Sequence, residues 1–440
     1  MNHIKPHFLL LAASLSALSS SLFAGLCAGP MLGHVGMREV KVWVQTLSPA
    51  TVRVAYTQSS SNTPNWSIPT QTKASEANTA TITLDSVEPG LTYSYQIEVD
   101  GNLVTNKHSF TTPAFYHGRM PAPDLRIVIG GAHYQTEDGF EPPYQILGNN
   151  YRIFTSILKA KPELMIWTGN TAHLRQSDWS SQSGYYKRYT RARSTPQLQP
   201  LLASIPHYAT WSSAEYSVNN DGKYYSHRGQ AEKSFKAFWP KSVEVSQLEG
   251  IPTRLRRADV DFFLLDVRSN RDDLPNSNRK AAILGSTQIE WLRQELVSST
   301  ATFKLIIAGA PVLNPADTPT NLSYASEEQT QLLEMLRTEK IAGVLFISGG
   351  KYHGELTRLV HISSYNLYDI SVGPLTANPK QVDELNYFRM PGTNTVERQF
   401  TLIDFTGEEE NRQLTLRVMN VEGNELWKRT ITSKQLQPAN

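Results

Sequence analysis

From Leu125 onward the chain alternates short apolar runs with helical patterns, and the runs stop at turns of small residues. Leu125–Ile129 leads into Gly130, Gly131, Ala132 and His133; Leu164–Thr168 leads into Gly169, Asn170, Thr171, Ala172 and His173. His207–Thr210 leads into Trp211, Ser212, Ser213, Ala214 and Glu215, Phe303–Ala308 into Gly309, and Gly343–Ile347 into Ser348, Gly349, Gly350, Lys351, Tyr352 and His353. Apolar runs this short suit buried strands, and their alternation with helices predicts a layered α/β architecture. In such folds catalytic groups gather at the carboxyl ends of the strands, where the loops share one crevice. Those ends carry almost no acid.

The segment before it has a different texture. Val40–Val44, Thr51–Tyr56, Thr79–Leu84 and Thr92–Ile97 alternate apolar and polar residues between turns such as Glu88-Pro89-Gly90 and Asp100-Gly101-Asn102. This predicts an all-β sandwich of the fibronectin or immunoglobulin type over residues 29–113, with a proline-bearing linker at 114–124 and the α/β domain over 125–435. Helices are expected at Tyr144–Leu158, Trp179–Arg193, Gln230–Phe238, Gln288–Val297 and Glu327–Lys340. Strands return at Tyr365–Val372, Phe400–Phe405, Thr415–Val421 and Leu426–Ile431, and the stretches Asp272–Ala281 and Asn378–Arg398 read as surface loops.

The 440 residues allow two or three domains, and a hydrophobic content of 40% suffices for packed cores. A net charge of +2 without long basic runs argues against a nucleic acid or an anionic membrane as partner. Lys5, the apolar stretch Phe8–Leu18 and the small residues up to Ala28 have the shape of a secretory signal within residues 1–28, cut between Ala24 and Ala28. The stretch is too short to span a bilayer, and no later segment is long and apolar enough, so no transmembrane segment is expected. An exported chain, periplasmic or extracellular, of bacterial type follows. Cys27 is the single cysteine. Lipid attachment there is the lesser reading, because Leu26 is bulky where lipoprotein signals take a small residue.

In order and spacing, several segments resemble the alkaline phosphatase D (PhoD-like) branch of the calcineurin-like metallophosphatases. They are Gly29–Gly33 with Val40–Val44, Pro162–Asn170, Phe263–Arg271 with its Leu-Asp-x-Arg-x-x-Arg pattern, and the helix start Leu284–Leu292. The resemblance implies a four-layered αββα fold and two metal ions for phosphoester hydrolysis. It also implies metal ligands at places where this chain departs from the family. Ser-Cys becomes Gly131-Ala132; Gly-Asp-x-x-Tyr becomes Gly169-Asn170-Thr171-Ala172-His173; Trp-Asp-Asp-His becomes Trp211-Ser212-Ser213-Ala214; Ser-Gly-Asp-Arg-His becomes Ser348-Gly349-Gly350-Lys351-Tyr352.

Two-metal hydrolysis needs anionic and imidazole ligands, and Ala132, Asn170, Ser212, Ser213, Ala214, Gly350 and Tyr352 supply almost none. The expectation is a pseudophosphatase, without a metal cofactor, that binds or scaffolds. The alternative is an active phosphatase or phosphodiesterase with a rearranged site, in which His133, His173 and His353 hold a single zinc. Period-two alternation sets His353 opposite in facing to Tyr352, which favours ordinary loop histidines. Lys351 and His173, with the strand-end amides, would draw a small anion, a phosphoester or another polar ligand, while a protein partner would use the sandwich. Glu215 is the acid left beside these positions, more readily a solvated or Arg-paired residue than a general base. Asp266, Arg268 and Arg271 are expected to form an ion-pair network that fixes their loop.

Overall fold

The computed structural model describes residues 25–137, 139–141, 149–217, 220–240, 248–272, 281–360 and 365–438. The expected signal up to residue 24, residues 144–148 of the first expected helix and residues 273–280 of the expected loop lie outside the described residues.

The predicted sandwich is present. One sheet joins Leu26–Val35, Val40–Thr46 and Thr79–Leu84, all antiparallel; the other is built on Thr51–Gln58 and Thr92–Val99, flanked by short edge strands. Alternation sets the core, because Val52, Val54 and Tyr56 point inward from one strand against Val42, Val44, Ile82 and Ile97. The first sheet is buried on both faces. Ala28, Met31 and Trp43 point away from the sandwich core into the helices of the α/β part, packing with Tyr185, Tyr189 and Phe238. Trp43 Nε1 donates to the carbonyl of Ala237 at 2.8 Å, and the Tyr95 hydroxyl donates to that of Ala203 at 2.8 Å.

Two six-stranded sheets form the centre of the α/β part. The first runs His207–Ala209, Leu164–Trp167, Leu125–Gly130, Gln399–Thr406, Gln413–Asn420, Glu425–Thr432; the second runs Thr253–Arg257, Val260–Leu265, Phe303–Ala308, Val344–Ser348, Leu367–Ser371, Glu355–Leu359. Parallel pairing joins the first three strands of the one and the middle four of the other, and the remaining pairs are antiparallel. Ile127, Ile129 and Ile166 meet Phe262, Leu264 and Leu305 between the sheets. Val128 and Met165, one residue out of phase, face the helices outside the first sheet. Ile289, Leu292, Leu332 and Leu336 of the helices Ser286–Ser298 and Ser326–Thr338 cover the second. The layers are therefore helix, sheet, sheet, helix. The parallel strands of both sheets end on one side, and that common edge is where the sequence places its candidate residues.

Candidate functional site

At this edge the loops are fastened mainly to one another. Ala132 takes a left-handed backbone (φ 50) and its N–H donates to the Gly169 carbonyl at 3.0 Å, while His133 N–H donates to Asn170 O at 2.8 Å. Asn170, also left-handed (φ 54), accepts the Ala214 N–H on its side-chain oxygen at 2.9 Å. A non-glycine residue is uncommon in that region, and two side by side mark a locally forced turn. Ser212 Oγ donates to Gly309 O at 2.7 Å, and Gly349 N–H donates to Ala308 O at 2.8 Å. Ser213, half-buried, opens the four-residue helix Ser213–Tyr216. Of the glycine amides expected to be open to an anion at Gly130, Gly131, Gly169, Gly349 and Gly350, that of Gly349 is thus already used, as are the neighbouring amides of Ala132 and His133.

The packing is close. A β-carbon added to Gly350 (φ 78) would sit 2.6 Å from the Gly309 carbonyl oxygen and 3.2 Å from Ser212 Oγ, and one on Gly169 would sit 2.5 Å from Ser212 N. Tyr352 reaches across to His173, its hydroxyl 3.2 Å from Nε2, while His173 Nδ1 lies 3.2 Å from the carbonyl oxygen of His133.

The three candidate imidazoles do not converge. His133 is fully buried, 3.0 Å from Thr376 Oγ1 and edge-on to Phe154, and burial lowers its pKa to about 3. Burial also lowers His173, to about 4, so it adds no positive charge near neutral pH. His353 points elsewhere, its Nε2 3.9 Å from Glu355 Oε2. Among the described residues one group of three potential metal ligands comes together, and it is His353, Glu355 and Glu384. The zinc site on His133, His173 and His353 is therefore not formed. Lys351 is not free for an anion either, because its buried ammonium donates to Glu384 Oε2 at 2.7 Å and to Thr320 Oγ1 at 2.8 Å.

Glu215 is neither solvated nor closely paired with an arginine. It is completely buried, and its carboxyl faces the backbone N–H groups of Thr171, Ser212 and Asn170 without a close hydrogen bond to any. Burial pushes its pKa up to about 7, with those amides offsetting part of the effect. Asp266 corrects the expected ion-pair network. Its carboxylate accepts the N–H groups of Arg268 (2.7 Å), Ser269 (2.9 Å) and Ile251 (3.0 Å) and the Trp211 indole N–H (2.8 Å). Arg268 reaches the side-chain and backbone oxygens of Asn220 instead. Gln288, at the start of its helix, accepts the Asp266 N–H and donates back to the Asp266 carbonyl, both at 2.8 Å. Trp211, Asp266 and Gln288 thus form one buried hydrogen-bonded chain behind the crevice, a set that the motif spacing contained but did not connect.

A family model described as PhoD-like phosphatase matches residues 159–402, more than half of the chain. The chain belongs to this family. A second model, described as a domain of unknown function (DUF7800), matches residues 23–117 and so spans the sandwich. Among solved structures the PhoD-like chain is similar to PhoD (TM-score 0.73, 16% identity, covering 93% of this chain and 89% of that one). It is also similar to the purple acid phosphatase PPD1 of yellow lupin, Lupinus luteus (TM-score 0.64, 14% identity, 92% and 74% covered). At these identities the likeness speaks for the fold. No curated protein matches the sequence. No helix among the described residues is long and apolar enough to cross a membrane.

Proposed function

We propose that this PhoD-like protein has given up two-metal phosphoester hydrolysis and acts, after export, as a binding or scaffold protein. The observation that carries the reading is the closure of the strand-end loops around Gly350. An acidic ligand at that position would need a β-carbon 2.6 Å from a carbonyl oxygen, and the neighbouring Ser212 and Asn170 spend their side chains on Gly309 and Ala214. Two adjacent cations need several carboxylate and imidazole ligands to be held and to activate water. The residues at the crevice do not fit that requirement.

If the chain is exported, a cut between Ala24 and Leu26 leaves the strand Leu26–Val35 whole, whereas a cut after Ala28 would remove its pairing with Thr46 and Gln45. A phosphoester is the ligand class that the family suggests for the crevice. For a protein partner the sandwich offers the exposed Trp66 and Leu103 beside a cavity of about 220 Å³ lined also by Ala55, Thr57 and Ser94. The second reading, an active hydrolase with a rearranged site, draws on the group His353, Glu355 and Glu384.

Elemental analysis and a phosphoester screen test the reading, on protein purified without chelator or affinity histidines. Fewer than two metal ions per chain and no turnover are expected. Two tightly held ions with turnover would overturn it.

A further inference from the structure

Beyond the strand Val344–Ser348 the chain turns back into Glu355–Leu359. His353 lies in the bend that precedes this strand, and Glu355 is the strand's first residue. Glu384 comes to them from the segment 378–398, which the sequence had marked as a surface loop. One ligand atom of each of the three lies within 4.8 Å of the others. His353 and Glu355 are buried (5% and 0% exposed), and the Glu384 side chain is 12% exposed.

The carboxylates are oriented by neutral donors. Asn314 Nδ2 donates to Glu355 Oε1 at 3.0 Å and to Glu384 Oε1 at 2.7 Å, and Asn386 Nδ2 donates to Glu355 Oε1 at 2.9 Å. Facing them, His353 Nε2 is buried without a hydrogen-bond partner, since 3.9 Å to Glu355 Oε2 is too long for one. An unmet buried polar nitrogen is costly, and native structures keep few of them.

We propose that His353, Glu355 and Glu384 bind one divalent ion of the zinc or manganese class. One imidazole and two carboxylates are the donor types such ions take, and three protein ligands leave a position open for water or a substrate oxygen. The ion has a resident competitor. The Lys351 ammonium sits on Glu384 Oε2, and Arg389 Nε donates to Glu355 Oε2, so the two carboxylates are balanced without a metal. Arg389 can keep its place as an outer partner of a ligating carboxylate. For the ion to take Glu384 Oε2, Lys351 must leave it.

The experiment is calorimetric titration of ZnCl₂ and of MnCl₂ into the full chain after chelator treatment and dialysis. Wild type is compared with His353→Ala, Glu384→Gln and Lys351→Met. One equivalent is expected, weakened roughly tenfold or more in the first two variants and tightened in the third. Tightening in Lys351→Met separates a metal site from a structural ion-pair cluster, in which losing Lys351 would lower the melting temperature and create no affinity. Glu384→Gln serves alone where His353→Ala does not fold. No saturable binding below about 1 mM to either wild type or Lys351→Met would overturn the proposal, as would binding unaffected by both His353→Ala and Glu384→Gln. The site uses none of the residues on which the proposed loss of two-metal catalysis rests. Failure here therefore leaves that reading intact, whereas a pair of ions surviving all three substitutions would count against that reading and against this one.

Discussion

The hydroxyl of Tyr352 and Nε2 of His173 stand 3.2 Å apart, joining the loops that follow two strands of different sheets. The other ring nitrogen faces the His133 carbonyl, which can only accept, so Nδ1 carries the proton and Nε2 accepts from Tyr352. The imidazole is neutral in this arrangement.

A pH dependence follows. Burial lowers His173 from 6.5 to about 4, and it lowers His133 and His207 to about 3. Between those values and 6.5 the unfolded chain binds more protons, so the contribution is full above 6.5 and is lost as pH falls toward 4 and then 3. Urea midpoints are expected to drop from pH 7 to pH 4.5, and less steeply in His173→Gln. An identical slope in the variant would mean that His173 is not held neutral.

Glu215 works with the opposite sign. Its folded pKa is raised from 4.5 to about 7, mainly by burial, so the folded chain binds the extra proton in that interval and loses stability as pH rises through 7. Glu215→Gln should gain stability relative to wild type on going from pH 5 to pH 8, measured by urea unfolding at both. A difference that stays constant with pH would show the carboxyl to be solvated.

Restoring an acid at Gly350 should not restore a phosphatase. Gly350→Asp places a side chain on a left-handed backbone (φ 78) against Gly309 O. Left-handed strain of about 1–2 kcal/mol and overpacking of about 1–3 kcal/mol add up to a loss of roughly 2–5 kcal/mol, readable as a lower urea midpoint. Wild-type stability together with newly bound metal would refute this.

What the sequence conveyed follows physical range. Phe263–Leu265 and Val344–Ile347 could be recognised as strands because a short, wholly apolar run needs no partner to identify it, and the helix Ser286–Ser298 was expected at Gln288–Val297, its start resembling the family's over Leu284–Leu292. The edge strands Thr253–Arg257 and Glu355–Leu359 were not, since Arg254, Arg256, Glu355 and Arg358 break the apolar pattern, and the helix Gln199–Ser204 is too short to show a period. At the crevice the residue types were legible and their partners were not. Nothing local tells that Lys351 meets Glu384, 33 residues on, or that Trp211 meets Asp266, 55 residues on. His353 and Glu355 are near neighbours in sequence, whereas Glu384 comes from a separate segment that no local pattern links to them.

The double-faced first sheet bears on how such a chain can be divided. Met31 and Trp43 belong to the helical core of the α/β part, while Leu32 and Val42 beside them belong to the sandwich. Cutting at residues 114–124 would release a sandwich with a bare apolar face and leave Tyr189 and Phe238 uncovered on the other fragment, and exposed patches of that kind drive aggregation. Each part buries an apolar face against the other, so neither is a module that could be grafted onto another protein unchanged.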